Sequence, residues 1–214
     1  IPKAMVPIRN QTLTEHVFDI FKKFGVNDVI LSVAYLSDQM KAFYGDGSKF
    51  DLNISYIVEK TPLGTAGPFI ILNQQGKAMK ESFYMVNGDN LFNVNLKEML
   101  EFHKKNNAVA TIALSRVDDP RSYGVAVLEG NKIKNFLEKP ENPPTNYVNS
   151  GYYIMEPEVF ELVKGKDRAM IEKDIFPQLA EQGKLFGFKC DKPWFDTGTP
   201  ERVKRVETEW QLEP

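Results

Sequence analysis

Two carboxylates stand at the ends of short apolar runs. Asp89 lies in "VNGDN" (86–90), delivered by the strand-like "FYMV" and preceded by Gly88; Asp196 lies in "WFDTG" (194–198), between an aromatic pair and Thr-Gly. A single aspartate does not hold a metal. Magnesium, however, is commonly held by one or two carboxylates, with substrate phosphates and water completing its shell. Asp-Asn and Asp-Thr-Gly are also good cap and turn sequences, so spacing alone leaves both readings open. Two lysines stand in distinctive settings. Lys3 stands between prolines, Pro2 and Pro7, where φ is restrained and the side chain is expected to be held off a helix, and Lys139 sits beside Glu138 in "FLEKP" (136–140). A Glu-Lys pair is equally at home on a solvated face.

Other stretches have the look of a binding cleft. "EKTPLGTAGP" (59–68) follows a strand-like run and opens a helix, and its small residues would let backbone N–H groups approach a nucleotide. "NSGYY" (149–153) places an amide and a glycine at a strand start, which simple turn chemistry also explains. His16 and His103 fall in helix-like segments and are expected at the surface without a role.

The elements that position these residues alternate. Residues 13–25 space Val17, Phe18, Ile20, Phe21 and Phe24 on one helical face and stop at Gly25. "DVILSVA" (28–34), "LNISYIVE" (52–59) and "AVATIAL" (108–114) read as strands separated by helices, which predicts βαβ units and a mixed, mostly parallel sheet with flanking helices. In that setting Asp89 would point from a central strand into the crevice beyond the strand ends, and Gly88 would allow a close approach. The second half predicts a hairpin turning at Glu129-Gly130-Asn131, a strand entering a helix at Pro157, a helix over 171–182, and a last helix reaching Trp210.

The chain has 214 residues, 42% hydrophobic and 26% charged, with 27 basic and 29 acidic side chains and a net charge of −2. No basic tract favours nucleic acid or an anionic membrane. No apolar run reaches a membrane span, and the single cysteine, Cys190, fits a reducing cytoplasm. No repeat or linker interrupts the chain, so one domain over 1–214 is expected.

Taken in order, "PKAMVPI", "EKTPLGTAGP", "VNGDN", "RSYGVAV", "FLEKP", "NYVNSGYYI", "IEKDIFPQLAEQGKLFGF" and "PWFDTGTPE" resemble the sugar-1-phosphate nucleotidylyltransferases, most closely the mannose-1-phosphate guanylyltransferases. The resemblance implies a Rossmann-like nucleotide-diphospho-sugar transferase fold. It also implies an enzyme joining a nucleoside triphosphate and a sugar 1-phosphate, with Mg2+, into a nucleotide-sugar and pyrophosphate. GTP and mannose 1-phosphate are the foremost pair; uridylyl or thymidylyl transfer to glucose or amino-sugar 1-phosphates is the alternative. By the same resemblance Lys3 neutralises phosphate charge, and Asp89 and Asp196 hold the metal. Gly64, Thr65 and Gly67 contact the nucleotide with Glu59 near by. Tyr123 and Gly124 line the sugar pocket, Glu138 binds sugar hydroxyls, Lys139 grips the sugar phosphate, and Asn149 and Gly151 complete the sugar contacts.

The family's glycine-rich loop and first strand would precede Ile1, and the chain is expected to continue upstream to supply them; without them the reading becomes a nucleotide-sugar-binding regulatory subunit. No C-terminal β-helix domain is expected. The last helix is taken to cap the core, with a homo-oligomer contact as the alternative. A nucleotide-sugar-dependent glycosyltransferase would be expected to show Asp-x-Asp, and "VNGDN" holds one aspartate.

Overall fold

Capping chemistry fixes the element ends. The computed structural model describes residues 2–34 and 36–213. Two very short strands, β1 (Pro7–Ile8) and β2 (Gln11–Thr12), lead into α1 (Leu13–Lys23), followed by β3 (Asp28–Val33), α2 (Ser37–Tyr44), β4 (Asn53–Val58) and α3 (Gly67–Gln74). Next come β5 (Phe83–Val86), β6 (Asn90–Phe92), α4 (Leu96–Lys105), β7 (Ala110–Arg116), β8 (Gly124–Glu129), β9 (Lys132–Glu138) and β10 (Tyr147–Met155). α5 (Phe176–Glu181), β11 (Leu185–Lys189), β12 (Trp194–Asp196) and α6 (Pro200–Glu209) complete the order. The chain divides into two units: one comprises the segment up to Pro62, Gly88–Asn93 and the segment from Pro193, and the other Leu63–Asn87 with Val94–Lys192.

In the first unit, Thr12 and Glu15 form a reciprocal capping box at the start of α1. Gly25, at φ +73°, closes the helix, with Val26 N–H donating to Phe21 C=O at 3.0 Å. Val17, Phe18, Ile20 and Phe21 are buried, as their spacing predicts, and so is Leu13, whereas Phe24, expected on the same face, is half-buried at the end of the helix. β3 and β4 run parallel from Asp28↔Asn53 to Val33↔Val58. β6 and β12 form an antiparallel ladder with Asp196 opposite Asn90. α6 starts at the Thr199 cap, and just beyond its end Trp210 is 2% exposed, edge-on to Phe195.

The second unit is built on a six-stranded sheet ordered β5-β10-β7-β11-β9-β8. The fold is mixed α/β, but the strand directions differ from the mostly parallel sheet expected. Within this sheet only β7–β11 is parallel, and the other ladders are antiparallel. The physical reason is connection length: the two-residue turn Gly130-Asn131 reverses β8 into β9, and β10 returns between β5 and β7. β5, expected to be central, is the outer strand of this sheet. Residues 171–182 also differ from a plain helix. Pro177 cannot donate a backbone hydrogen bond, and the turn before it, Ile171–Ile175, is a π-turn.

His103, expected at the surface, is 1% exposed. It lies on the inner face of α4, its Nδ1 2.8 Å from Thr111 Oγ1 and its Nε2 2.9 Å from Glu156 Oε1, so its polar atoms are satisfied inside. His16 is half-buried against Trp210, whose indole N–H donates to its Nδ1 at 3.3 Å. Among the described residues no helix is long and apolar enough to cross a membrane.

Candidate active site

The first unit brings three of the expected residues together. Lys3, expected off any helix, instead opens a single 3-10 turn, Lys3–Met5, since Pro2 ahead of it is free to cap such a turn; its Nζ donates to Asp89 Oδ2 at 2.7 Å, with both side chains nearly half exposed. Asn90 Nδ2 donates to Asp89 Oδ1 at 2.9 Å. Asp196 is held to the same place by the β6–β12 ladder, and Thr197 donates both its backbone N–H and its hydroxyl to Asp89 C=O, each at 3.0 Å. Asp196 Oδ1 in turn accepts from Gly198 N–H at 3.0 Å and from Arg202 Nη1 at 2.7 Å. Two carboxylates from segments a hundred residues apart thus share one ladder end, each with a cation beside it.

That donor set suits a hard cation that keeps oxygen ligands from elsewhere. Among the described residues no cluster of three or more His, Cys, Asp or Glu could form an all-protein metal cage. Two carboxylates are what a phosphate-bound magnesium needs from a protein. A Cβ on Gly88 would meet only Ala4 Cβ, at 4.0 Å, so the glycine leaves open space beside Asp89. Glu59, in the same unit, caps the end of β4: its N–H donates to Val33 C=O at 2.9 Å and its carboxylate accepts from Ser32 at 3.2 Å.

The second unit carries the remaining candidates. Gly64 adopts φ +89°, and a Cβ there would collide with Ala169 C=O, so glycine is required on both counts. Ala169 N–H donates to Leu63 C=O at 2.9 Å and Ala66 N–H donates to Ala169 C=O at 3.0 Å, bracketing Gly64 and Thr65 between two bonds to one residue. Gly67 opens α3, and its N–H is taken by Gly64 C=O at 2.9 Å. Thr65 Oγ1 donates to Glu172 Oε2 at 2.6 Å and accepts from Ile171 N–H at 2.9 Å.

Glu138 and Gly124 face each other across the β8–β9 hairpin. A Cβ on Gly124 would strike the Phe136 ring and come within 3.0 Å of Glu138 Oε2, so the glycine makes room for that carboxylate. Burial pushes the Glu138 carboxyl above its ordinary range, the charge of Glu172 adds to the rise, and Lys139 and Lys173 oppose it. Lys139 has φ +48°, left-handed backbone that a non-glycine residue rarely adopts. Its N–H donates to Tyr123 C=O at 3.1 Å, which pins it there, and its Nζ lies 3.8 Å from Glu138 Oε1 with the side chain 64% exposed.

Asn149 and Gly151 lie where β10 bulges, between Asn149 and Tyr153. Gly151 has φ +80°; its N–H donates to Asn149 Oδ1 at 2.9 Å and its C=O accepts from Asn87 N–H at 2.8 Å. Asn149 Nδ2 donates to Tyr153 Oη at 2.8 Å. Sequence reasoning missed Glu172, Ala169, Asn87 and Arg202. The first lies in "IEKDIF" and the third in "VNGDN", but only the folded register shows what their groups touch.

A family model described as nucleotidyl transferase matches residues 1–211. The chain is 36% identical over 207 residues to the mannose-1-phosphate guanylyltransferase of Mycobacterium tuberculosis, covering 95% of this chain and 57% of that protein. It is also 36% identical over 203 residues to the mannose-1-phosphate guanylyltransferase catalytic subunit beta of Xenopus tropicalis, covering 94% and 56%. The chain therefore spans little more than half the length of the curated relatives it matches. Among solved structures, HddC from Yersinia pseudotuberculosis superposes with a TM-score of 0.83 at 24% identity, covering 99% of this chain and 91% of that one. That likeness is one of fold, the nucleotide-diphospho-sugar transferase fold expected from the sequence.

Proposed function

The chain belongs to the nucleotidyl transferase family, and from that premise we propose that it carries the core that transfers a guanylyl group from GTP to mannose 1-phosphate, giving GDP-mannose and pyrophosphate. The observation that carries the reading is the convergence of Asp89, Asp196 and Lys3 at one end of the β6–β12 ladder. Both substrates are polyanions, and a site that joins them must neutralise charge at close range. The choice of guanine and mannose rests on the two relatives, whose names carry that activity.

Nucleotidyltransferases of this family generally use a divalent metal, and magnesium fits the two aspartates. Bound there, it would supply charge neutralisation on the triphosphate. The chain's own residues do the rest. A sugar-phosphate oxygen, already ionised, attacks the α-phosphorus. A new P–O bond forms, the bond from the α-phosphorus to the bridging oxygen breaks, and pyrophosphate leaves with the electron pair. No strong general base is needed, so positioning dominates. Lys3 would meet phosphate charge beside the Asp89 carboxylate. Lys139, held in its left-handed backbone by the Tyr123 carbonyl, would grip the sugar phosphate, and Glu138 would accept from sugar hydroxyls.

The reading is tested by pyrophosphate release from the full-length protein. GTP, UTP, dTTP, CTP and ATP are each paired with mannose, glucose and N-acetylglucosamine 1-phosphates in the presence of magnesium. Strong release confined to GTP with mannose 1-phosphate supports it. A different strong pair would reassign the substrates, and silence from a folded protein would favour a non-catalytic regulatory subunit.

A further inference from the structure

The Thr65 hydroxyl is already in use. Its hydrogen goes to Glu172 Oε2 at 2.6 Å and it accepts from Ile171 N–H at 2.9 Å, so one lone pair is all it could offer a ligand. The backbone around it is differently placed. The N–H groups of Ala66 and Gly67 are taken by Ala169 and Gly64 carbonyls, whereas among the described hydrogen bonds the N–H groups of Gly64 and Thr65 have no acceptor. Those two amides lie between the paired bonds to Ala169, on a backbone that Gly64 turns through positive φ.

We infer that Glu172 is a positioning residue for the nucleotide: its carboxylate clamps the Thr65 hydroxyl, so that the Gly64–Thr65 amides, and not the Thr65 side chain, meet the nucleotide. The inference rests on the guanylyl-transfer reading for the identity of that ligand. The clamp needs three parts that only this register supplies. Ala169 fixes both flanks of the loop, Ile171 donates to the hydroxyl, and Glu172 accepts from it. Residues 171–175 form the π-turn ahead of Pro177, which presents Ile171 N–H and the Glu172 side chain to the same oxygen. A carboxylate acceptor makes the Thr65 bond charge-assisted, hence stronger than a bond between neutral groups. Glu172 also lies close enough to Glu138 for its charge to be felt there, so the anchor of the nucleotide loop and the candidate sugar residue share one electrostatic neighbourhood.

Four variants of the full-length enzyme separate this role from a merely structural one. Thr65→Val and Glu172→Ala remove the clamp, while Thr65→Ser and Glu172→Gln keep a hydroxyl donor and an oxygen acceptor. The first readout is backbone hydrogen exchange of residues 63–67 without nucleotide. Faster exchange is expected in the first two variants and near wild-type exchange in the last two. The second readout is KM for GTP against KM for mannose 1-phosphate. The clamp-removing pair should raise the GTP value about tenfold, the scale of one charge-assisted hydrogen bond, and leave the sugar-phosphate value nearly unchanged. Wild-type exchange and wild-type KM for GTP in Thr65→Val would overturn the inference, as would Thr65→Ser behaving like Thr65→Val. Should the wild-type enzyme turn over no GTP, the guanylyl reading fails, and exchange at residues 63–67 decides the clamp by itself.

Discussion

Thr197 donates twice to one atom: its backbone N–H and its hydroxyl both reach the Asp89 carbonyl, each at 3.0 Å. The residue next to Asp196 is thereby tied to Asp89 through the backbone. Ladder bonds hold the two segments side by side, with Lys3 against the Asp89 carboxylate and Arg202 against that of Asp196.

Asp196→Asn should therefore spare the fold and remove the chemistry. The amide oxygen can still accept from Gly198 and Arg202, so the melting temperature should stay near wild type. Metal-dependent turnover should fall by roughly two to three orders of magnitude, the scale of one electrostatic group at a developing charge. Manganese titration followed by electron paramagnetic resonance gives an activity-independent check. Undiminished manganese affinity together with full turnover would remove Asp196 from the metal site.

Lys139 offers a sharper pair. Its left-handed backbone carries strain of about 1 kcal/mol for a residue with a Cβ. Lys139→Ala and Lys139→Gly should raise KM for the sugar phosphate alike, since both delete the amine. Lys139→Gly should also unfold at a higher temperature than Lys139→Ala, because glycine adopts that φ without penalty. Equal kinetics with wild type in either variant would mean that the amine does not grip phosphate.

Glu138 links stability to pH. Its carboxyl is raised by burial first and by the charge of Glu172 second, so between its unfolded and folded values the folded chain holds more protons. Stability then falls as pH rises through that interval and stays lower above it. Glu138→Gln, neutral throughout, should melt about 1–3 °C above wild type at neutral pH and nearly level with it near about pH 4, while sugar-phosphate turnover drops. Calorimetry across pH checks this, and a lower melting temperature at neutral pH would contradict it.

His103 has the opposite sign. Burial pulls its pKa below the ordinary histidine value, against the pull of Glu156, so the unfolded chain takes the proton first. Its contribution is complete above the unfolded value of about 6.5 and is lost as pH falls through the lower folded value. His103→Gln should flatten the fall in melting temperature on acidification below about pH 6.5, measured against the wild type. An unchanged slope would place the acid sensitivity elsewhere.

Much of this was legible in the chain because the signals are local. Gly25 at the end of the first helix, the Gly130-Asn131 turn and the strand before Asp89 each act over a few residues, whereas the Thr12–Glu15 capping box at the start of that helix was not read. The pairing of Asp89 with Asp196 could be anticipated only as a shared setting, since the register Asp196↔Asn90 is a long-range fact. Thr65 finds Glu172 across 107 residues, and His103 finds Glu156 across 53, so neither partner has a sequence signature. His103 looked superficial because α4 ends in charge, "HKK", yet its ring lies on the buried side with Leu96 and Met99. The strand directions were misjudged for a similar reason: apolar runs show burial on two faces but not which neighbour a strand will take.

Nucleotidyl transfer itself is tested most directly by identifying the products. The full-length protein, incubated with GTP, mannose 1-phosphate and magnesium, should yield GDP-mannose and pyrophosphate in equal amounts by phosphorus NMR and mass spectrometry, with no orthophosphate. GDP with orthophosphate, or no product from a folded protein, would contradict guanylyl transfer at this site.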